Sequence, residues 1–104
     1  MVGIDLVSIQ EFKHQRELGG EAFLRRAFHT SERSNDTAEH LAGIWAAKEA
    51  VMKATGLAAG HWLDITISYA DSGKPMATVA GRLVEISIAH HKDYAVAIAM
   101  DMHA

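Results

Sequence analysis

The chain opens on a short alternation. In VGIDLV (2–7), Val2, Ile4 and Leu6 lie on one side of an extended strand, and Gly3, Asp5 and Val7 on the other. Ser8 and Glu11 stand at capping-box spacing, which predicts a helix starting at Ser8 with Ile9, Phe12 and Arg16 on one side. Gly19-Gly20 ends it, and a second helical piece over about 21–28 groups Phe23, Ala27 and Phe28. HTSERSNDTA (29–38) is polar and lacks periodicity, so it reads as a loop or a short helical turn. The longest helix runs from about 38 to 55, AEHLAGIWAAKEAVMKAT, rich in strong helix formers and closed by Gly56. The period then changes to two. WLDITISY (62–69) sets Leu63, Ile65, Ile67 and Tyr69 against Asp64, Thr66 and Ser68. Asp71-Ser72-Gly73-Lys74 is a turn into a strand at 76–80, and two more strands, 84–90 and 94–101, are joined by a tight turn near His91-Lys92-Asp93. The last strand, YAVAIAMD, is apolar on both faces and is expected to be central or covered on both sides.

A strand, then helices, then a run of antiparallel strands predicts an α+β fold with one long helix packed on the sheet. At 104 residues the chain reads as a single domain, 1–104. A chain this short buries only about two-thirds of its unfolded surface, and strands apolar on both faces are hard to cover with so little protein. Oligomerisation is therefore expected. With 49% hydrophobic and 22% charged residues, this is an ordinary globular composition. The net charge of −3 argues against nonspecific nucleic-acid binding. The absence of cysteine excludes disulfides, thiolate metal sites and cysteine nucleophiles. No apolar run approaches the roughly 20 residues a membrane span needs, and no charged segment precedes an apolar run at the start. A cytoplasmic protein without membrane or nucleic-acid partners is expected. Histidines at 14, 29, 40, 61, 90, 91 and 103 are scattered, which does not favour a His-rich metal cluster.

Three features could carry chemistry. Asp5 puts a carboxylate inside an apolar strand, either solvated, accepting from a backbone N–H, or part of a metal or phosphate site. Trp45, Glu49 and Lys53 form an i, i+4, i+8 stripe on the long helix, with Lys48 on the next row. Glu49 and Lys53 alone read equally as a surface ion pair, and Trp45 as core. His90 ends a buried-looking strand, where it can be structural or functional. Gly73-Lys74-Pro75 is by itself a turn.

Taken together and in order, GID at 3–5, FLRRAF at 23–28 with Glu32, WAAKEAVMKATG at 45–56, GKP at 73–75 and SIAHHKDYAVA at 87–97 resemble one family over nearly the whole chain. It is that of the small 4′-phosphopantetheinyl transferases of the holo-acyl-carrier-protein synthase type. The resemblance implies that family's fold, and transfer of 4′-phosphopantetheine from coenzyme A to a serine of an apo acyl carrier protein. Adenosine 3′,5′-bisphosphate would leave, with Mg²⁺ as cofactor. It implies Asp5 and Glu49 as metal ligands, Glu49 or a metal-bound water as base, and Lys53 at the leaving phosphate. Lys48 and His90 would approach coenzyme A phosphates, Gly56 the nucleotide, and Lys74 and Pro75 the adenine. It implies a homotrimer with each active site between neighbouring subunits, and docking of the acidic carrier on Lys13, Arg16, Arg25 and Arg26. The chain departs from the family pattern at Ile44, often Arg, at Ala89, usually a hydroxyl residue, and at Glu11, where an Arg is usual. The segment from Pro75 to Ser87 is short, so the usual small helix there is expected to be absent. A relative that binds coenzyme A or a carrier with little turnover is the alternative.

Overall fold

In the computed structural model, which describes residues 1–102, β1 (Val2–Ser8) runs directly into α1 (Ile9–Ala27). Ser8 Oγ accepts the Glu11 N–H at 3.1 Å, so the expected cap forms. Gly20, at φ 57° and ψ −148°, breaks α1 into the two expected helical pieces. That conformation is open to glycine and strained for other residues. The kink folds Phe23 back onto Phe12, ring centroids 5.9 Å apart. A 3₁₀ turn, Thr30–Arg33, leads to α2 (Ala38–Thr55), which Thr37 caps at its start and Gly56, at φ 77°, at its end. Then come β2 (Ile65–Tyr69), β3 (Pro75–Val79), β4 (Arg82–His91) and β5 (Tyr94–Met100).

The strands form one five-stranded sheet in the order β1-β5-β4-β3-β2, every neighbouring pair antiparallel. β3 passes to β4 through Ala80-Gly81, both at positive φ (51° and 77°), the backbone a two-residue hairpin turn favours. No helix intervenes, as expected from the short segment. The 62–69 strand is shorter than its alternation suggested. Residues Trp62–Asp64 form a 3₁₀ turn instead, because the Trp62 ring leaves the sheet and stacks on Trp45, 4.9 Å between centroids. His103 lies outside the described residues.

α2 lies across one face of the sheet. Leu41, Ile44, Val51 and Ile65 are fully buried in the core between them, each burial stabilising by roughly 1.5–3 kcal/mol. Small residues let the backbones approach: Ala95, Ala97 and Ala99 of β5 are buried, and a Cβ built on Gly3 would sit 2.0 Å from the Ala50 carbonyl oxygen. The other face differs from the expectation for β5. Register pairs Val2 with Met100, Ile4 with Ile98 and Leu6 with Val96, and these side chains point away from α2. Val2, Ile4 and Leu6 are 55–64% exposed, and Tyr94, Ile98 and Met100 are 40–50% exposed. β5 is an interior strand, between β1 and β4, but within one chain only its alanine face is covered.

Candidate functional site

The close approach of α2 to β1 assembles the first cluster. Because Gly3 has no side chain, α2 crosses β1 backbone to backbone, and Asp5, two residues on and on the same face, comes beside the helix. Lys53 Nζ lies 3.1 Å from Asp5 Oδ1 and donates to the Ile4 carbonyl at 2.9 Å. Glu49, one turn earlier, lines the same cleft as Asp5, about 350 Å³, with Ser8, Gln15, Phe12 and Trp45 among its walls. Glu49 Oε1 accepts a hydrogen bond from Trp62 Nε1 at 3.3 Å. The surface ion pair between Glu49 and Lys53 allowed by their spacing is replaced by these two separate partnerships. Each carboxylate thus has one oxygen engaged by a protein donor.

The donor set suits a hard divalent cation. Asp5 and Glu49 share the cleft, with Glu11 elsewhere on its wall, and among the described residues no three carboxylates or imidazoles form a set that could hold a metal by protein groups alone. Mg²⁺ is commonly bound in this way, through one or two carboxylates with substrate phosphates and waters completing the shell.

Lys48 requires a correction. It is fully buried, and its ammonium donates to Glu32 Oε1 at 2.7 Å and to the Ala27 carbonyl at 2.8 Å. It therefore does not reach a ligand phosphate. Burial pushes its pKa below the ordinary lysine value, against the opposing pull of Glu32. Glu32 also accepts from the His29 and Ile67 N–H groups, tying the 3₁₀ turn, α2 and β2 together. Adjacent helical positions point about 100° apart, which is why Lys48 faces inward while Glu49 faces the cleft. Gly56 is the left-handed cap of α2, with open space around the position a Cβ would take.

His90 belongs to a second region. Its Nε2 donates to the Glu39 carbonyl at 2.9 Å, and the ring lies over Gly43, where a Cβ would come within 2.9 Å of Nε2. Gly43 is ten residues before Lys53 on α2, about 15 Å along the helix. Nearby, His40 and Tyr69 pack ring to ring at 5.6 Å. Burial, then the charge of His90, lowers the His40 pKa; burial, then the charge of Glu32, raises that of Tyr69. Lys74 and Pro75 lie at the β2–β3 hairpin and line a separate hollow with Leu83 and Glu85; Lys74 Nζ is 3.4 Å from Glu85. That hairpin is three strand spacings from β1 in the sheet order, roughly 14 Å. One chain therefore carries three separated groups of candidate residues: Asp5, Glu49 and Lys53; His90; and Lys74 with Pro75.

The basic candidates divide too. Arg16 is engaged by Asp36, at 2.6 Å to its carbonyl and 3.4 Å to its carboxylate, and Lys13 is 4.0 Å from Glu39. Arg25 and Arg26 are exposed in the last turn of α1, the end where a helix favours cations. Trp62, which reaches Glu49 from outside the cleft wall, is the contact that the sequence pattern did not single out. Period-two alternation placed it inside a strand, and only the stacking on Trp45 turns it toward Glu49.

A family model for the 4′-phosphopantetheinyl transferase superfamily matches residues 1–99. The holo-[acyl-carrier-protein] synthase of Campylobacter curvus (strain 525.92) is 34% identical over 112 residues, spanning 96% of this chain and 98% of that protein. That of Syntrophotalea carbinolica is 40% identical over 115 residues, spanning 92% and 90%. The crystal structure of Helicobacter pylori holo-[acyl-carrier-protein] synthase in complex with coenzyme A superposes with a TM-score of 0.89 at 30% identity, covering 96% of this chain and 98% of that one.

Proposed function

Since the chain belongs to the 4′-phosphopantetheinyl transferase superfamily, we propose that it is a holo-acyl-carrier-protein synthase, moving phosphopantetheine from coenzyme A to a serine of an apo acyl carrier protein. The observation that carries this reading is the convergence of Asp5, Glu49 and Lys53 at one cleft, on the matching motif positions. In the reaction the serine oxygen forms a bond to the pantetheine-linked phosphorus of the pyrophosphate. The bond from that phosphorus to the bridging oxygen breaks, and adenosine 3′,5′-bisphosphate leaves. Asp5 and Glu49 would hold a magnesium ion, which when bound offsets negative charge on the phosphate oxygens. Glu49 accepts the serine proton. Lys53, half exposed and anchored by the Ile4 carbonyl, neutralises the leaving phosphate as its charge grows. His90, Lys74 and Pro75 contact coenzyme A, and Gly56, whose surroundings are open, lets the nucleotide approach; Lys48 holds Glu32 in the core.

The separation of these groups within one chain, together with the bare apolar face of β1 and β5, supports a homotrimer whose active sites lie between neighbours. An uncovered patch of adjoining Val2, Ile4, Leu6, Ile98 and Met100 is what an assembly surface looks like. Arg25 and Arg26 lead carrier docking, with Lys13 and Arg16 behind their acidic partners. We place the reaction in the cytoplasm and in fatty-acid synthesis.

The test is incubation with coenzyme A, Mg²⁺ and an apo carrier, read as the phosphopantetheine mass addition. Wild type should modify the carrier, and chelation should stop it. Glu49→Gln should lose about 10²–10⁴-fold in turnover, and Lys53→Ala should lose more in kcat than in coenzyme A binding. Tight coenzyme A binding without mass addition would establish the little-turnover alternative, and a Glu49→Gln variant as fast as wild type would remove Glu49 from the reaction.

A further inference from the structure

We infer that Trp62 is a positioning residue for the reaction: its indole N–H grips Glu49 by one oxygen and leaves the other for chemistry. This rests on the role given to Glu49 above. Trp62 Nε1 is 3.3 Å from Glu49 Oε1. Among the described residues this is the hydrogen bond made to the Glu49 side chain, so Oε2 is left to ligands. The grip is directional because the ring cannot swing. Trp62 stacks on Trp45 at 4.9 Å and 28°, and Trp45 is packed against Phe12, Phe23 and Phe28 with centroids 6.2, 5.3 and 6.3 Å away.

The connection after α2 delivers this ring. Gly56 ends the helix at φ 77°, Gly60 turns at φ 90°, and the 3₁₀ turn Trp62–Asp64 follows, bringing position 62 back against the helix it has just left. An indole N–H only donates. Trp62 therefore exchanges no proton with the serine and replaces no metal ligand; what it controls is the rotamer of Glu49. A carboxylate on a partly buried helix position otherwise samples several rotamers, and supporting hydrogen bonds of this kind commonly govern activity by 10–100-fold.

Trp62→Phe keeps a flat ring over Trp45 and removes the N–H. With a folded variant, kcat should fall roughly 10-fold or more, while KM for coenzyme A stays at the wild-type value. A loss of packing alone would move stability and not this split. A folded Trp62→Phe enzyme with wild-type kcat overturns the inference. A second measurement needs neither turnover nor that variant. In ¹⁵N-tryptophan-labelled full-length protein, two indole N–H signals are expected, since the chain has two tryptophans. In Glu49→Ala one of them should move upfield while the other holds, as a hydrogen bond is lost. If neither moves, the bond is absent and the inference falls. Failure of the parent reading looks different: Glu49→Gln then turns over like wild type, whatever the indole signals do.

Discussion

At Lys48 an ammonium sits in the core one residue before a carboxylate that faces the cleft. The difference is angular, since adjacent helical side chains diverge by about 100°. Its pairing with Glu32 is fully buried on both sides. Removing one partner of such a pair strands the other charge, which costs about 3–5 kcal/mol. Lys48→Met should therefore lower the urea midpoint by an amount corresponding to that loss, with KM for coenzyme A unchanged in the protein that remains folded. Unchanged stability with a raised KM would return Lys48 to the ligand. The motif that places Lys48 and Glu49 side by side is legible in the chain; their division of labour is not, because it depends on Glu32 arriving from a separate segment.

At the level of elements, two glycines set how α2 meets the sheet, and they should respond differently to alanine. A Cβ at position 3 would meet the Ala50 carbonyl oxygen at 2.0 Å and the Ala54 nitrogen at 2.8 Å, both backbone. Neither can yield, so Gly3→Ala must lift α2 from β1. It should cost about 1–3 kcal/mol, measured by denaturation, and draw Lys53 away from Asp5, lowering kcat. At position 43 the obstacle is the end of the His90 side chain, at 2.9 Å. Gly43→Ala should be nearer neutral in stability but displace His90 from the Glu39 carbonyl and raise KM for coenzyme A. The end of α1 carries a further expectation. Arg25 and Arg26 are exposed, whereas Lys13 and Arg16 face Glu39 and Asp36. Charge reversal at Arg25 and Arg26 should raise KM for the carrier and leave coenzyme A binding intact. Salt above about 0.5 M, where the Debye length is well under 10 Å, should weaken the wild type in the same way. A carrier KM indifferent to both would mean apolar docking.

For the whole molecule, the question is what covers the second face of the sheet. With Ile4 59% and Leu6 64% exposed beside Ile98, that face is continuous across β1 and β5, and the groups of candidate residues lie on one chain without meeting. In the proposed trimer, Leu6→Glu puts an unpaired charge on this face and should reduce the assembly to a smaller species by sedimentation. Far-UV circular dichroism should be kept and transferase activity lost. A trimer that survives this substitution, or an active monomer, would disprove assembly through this face.

What the sequence determined by itself is local. Helix and strand periods, the Ser8 cap, the Gly20 break, the Gly56 stop and the short β3–β4 connection all depend on φ/ψ preferences and hydrogen bonds within a few residues. The acid–base stripe on α2 follows from the same helical repeat. Tertiary structure decided the rest. Val2, Ile4 and Leu6 alternate as cleanly as any buried strand face, yet Gly3 and the alanines of β5 are the side that α2 covers, because close backbone approach selects small residues over large apolar ones. Trp62 left its expected strand because stacking on Trp45 offered its ring more contact than a sheet edge. The partners of Lys48, Lys53 and Glu49 come from segments 16, 48 and 13 residues away. No local pattern encodes them, since they arise only when the chain is packed and each polar group takes the nearest partner that burial leaves it.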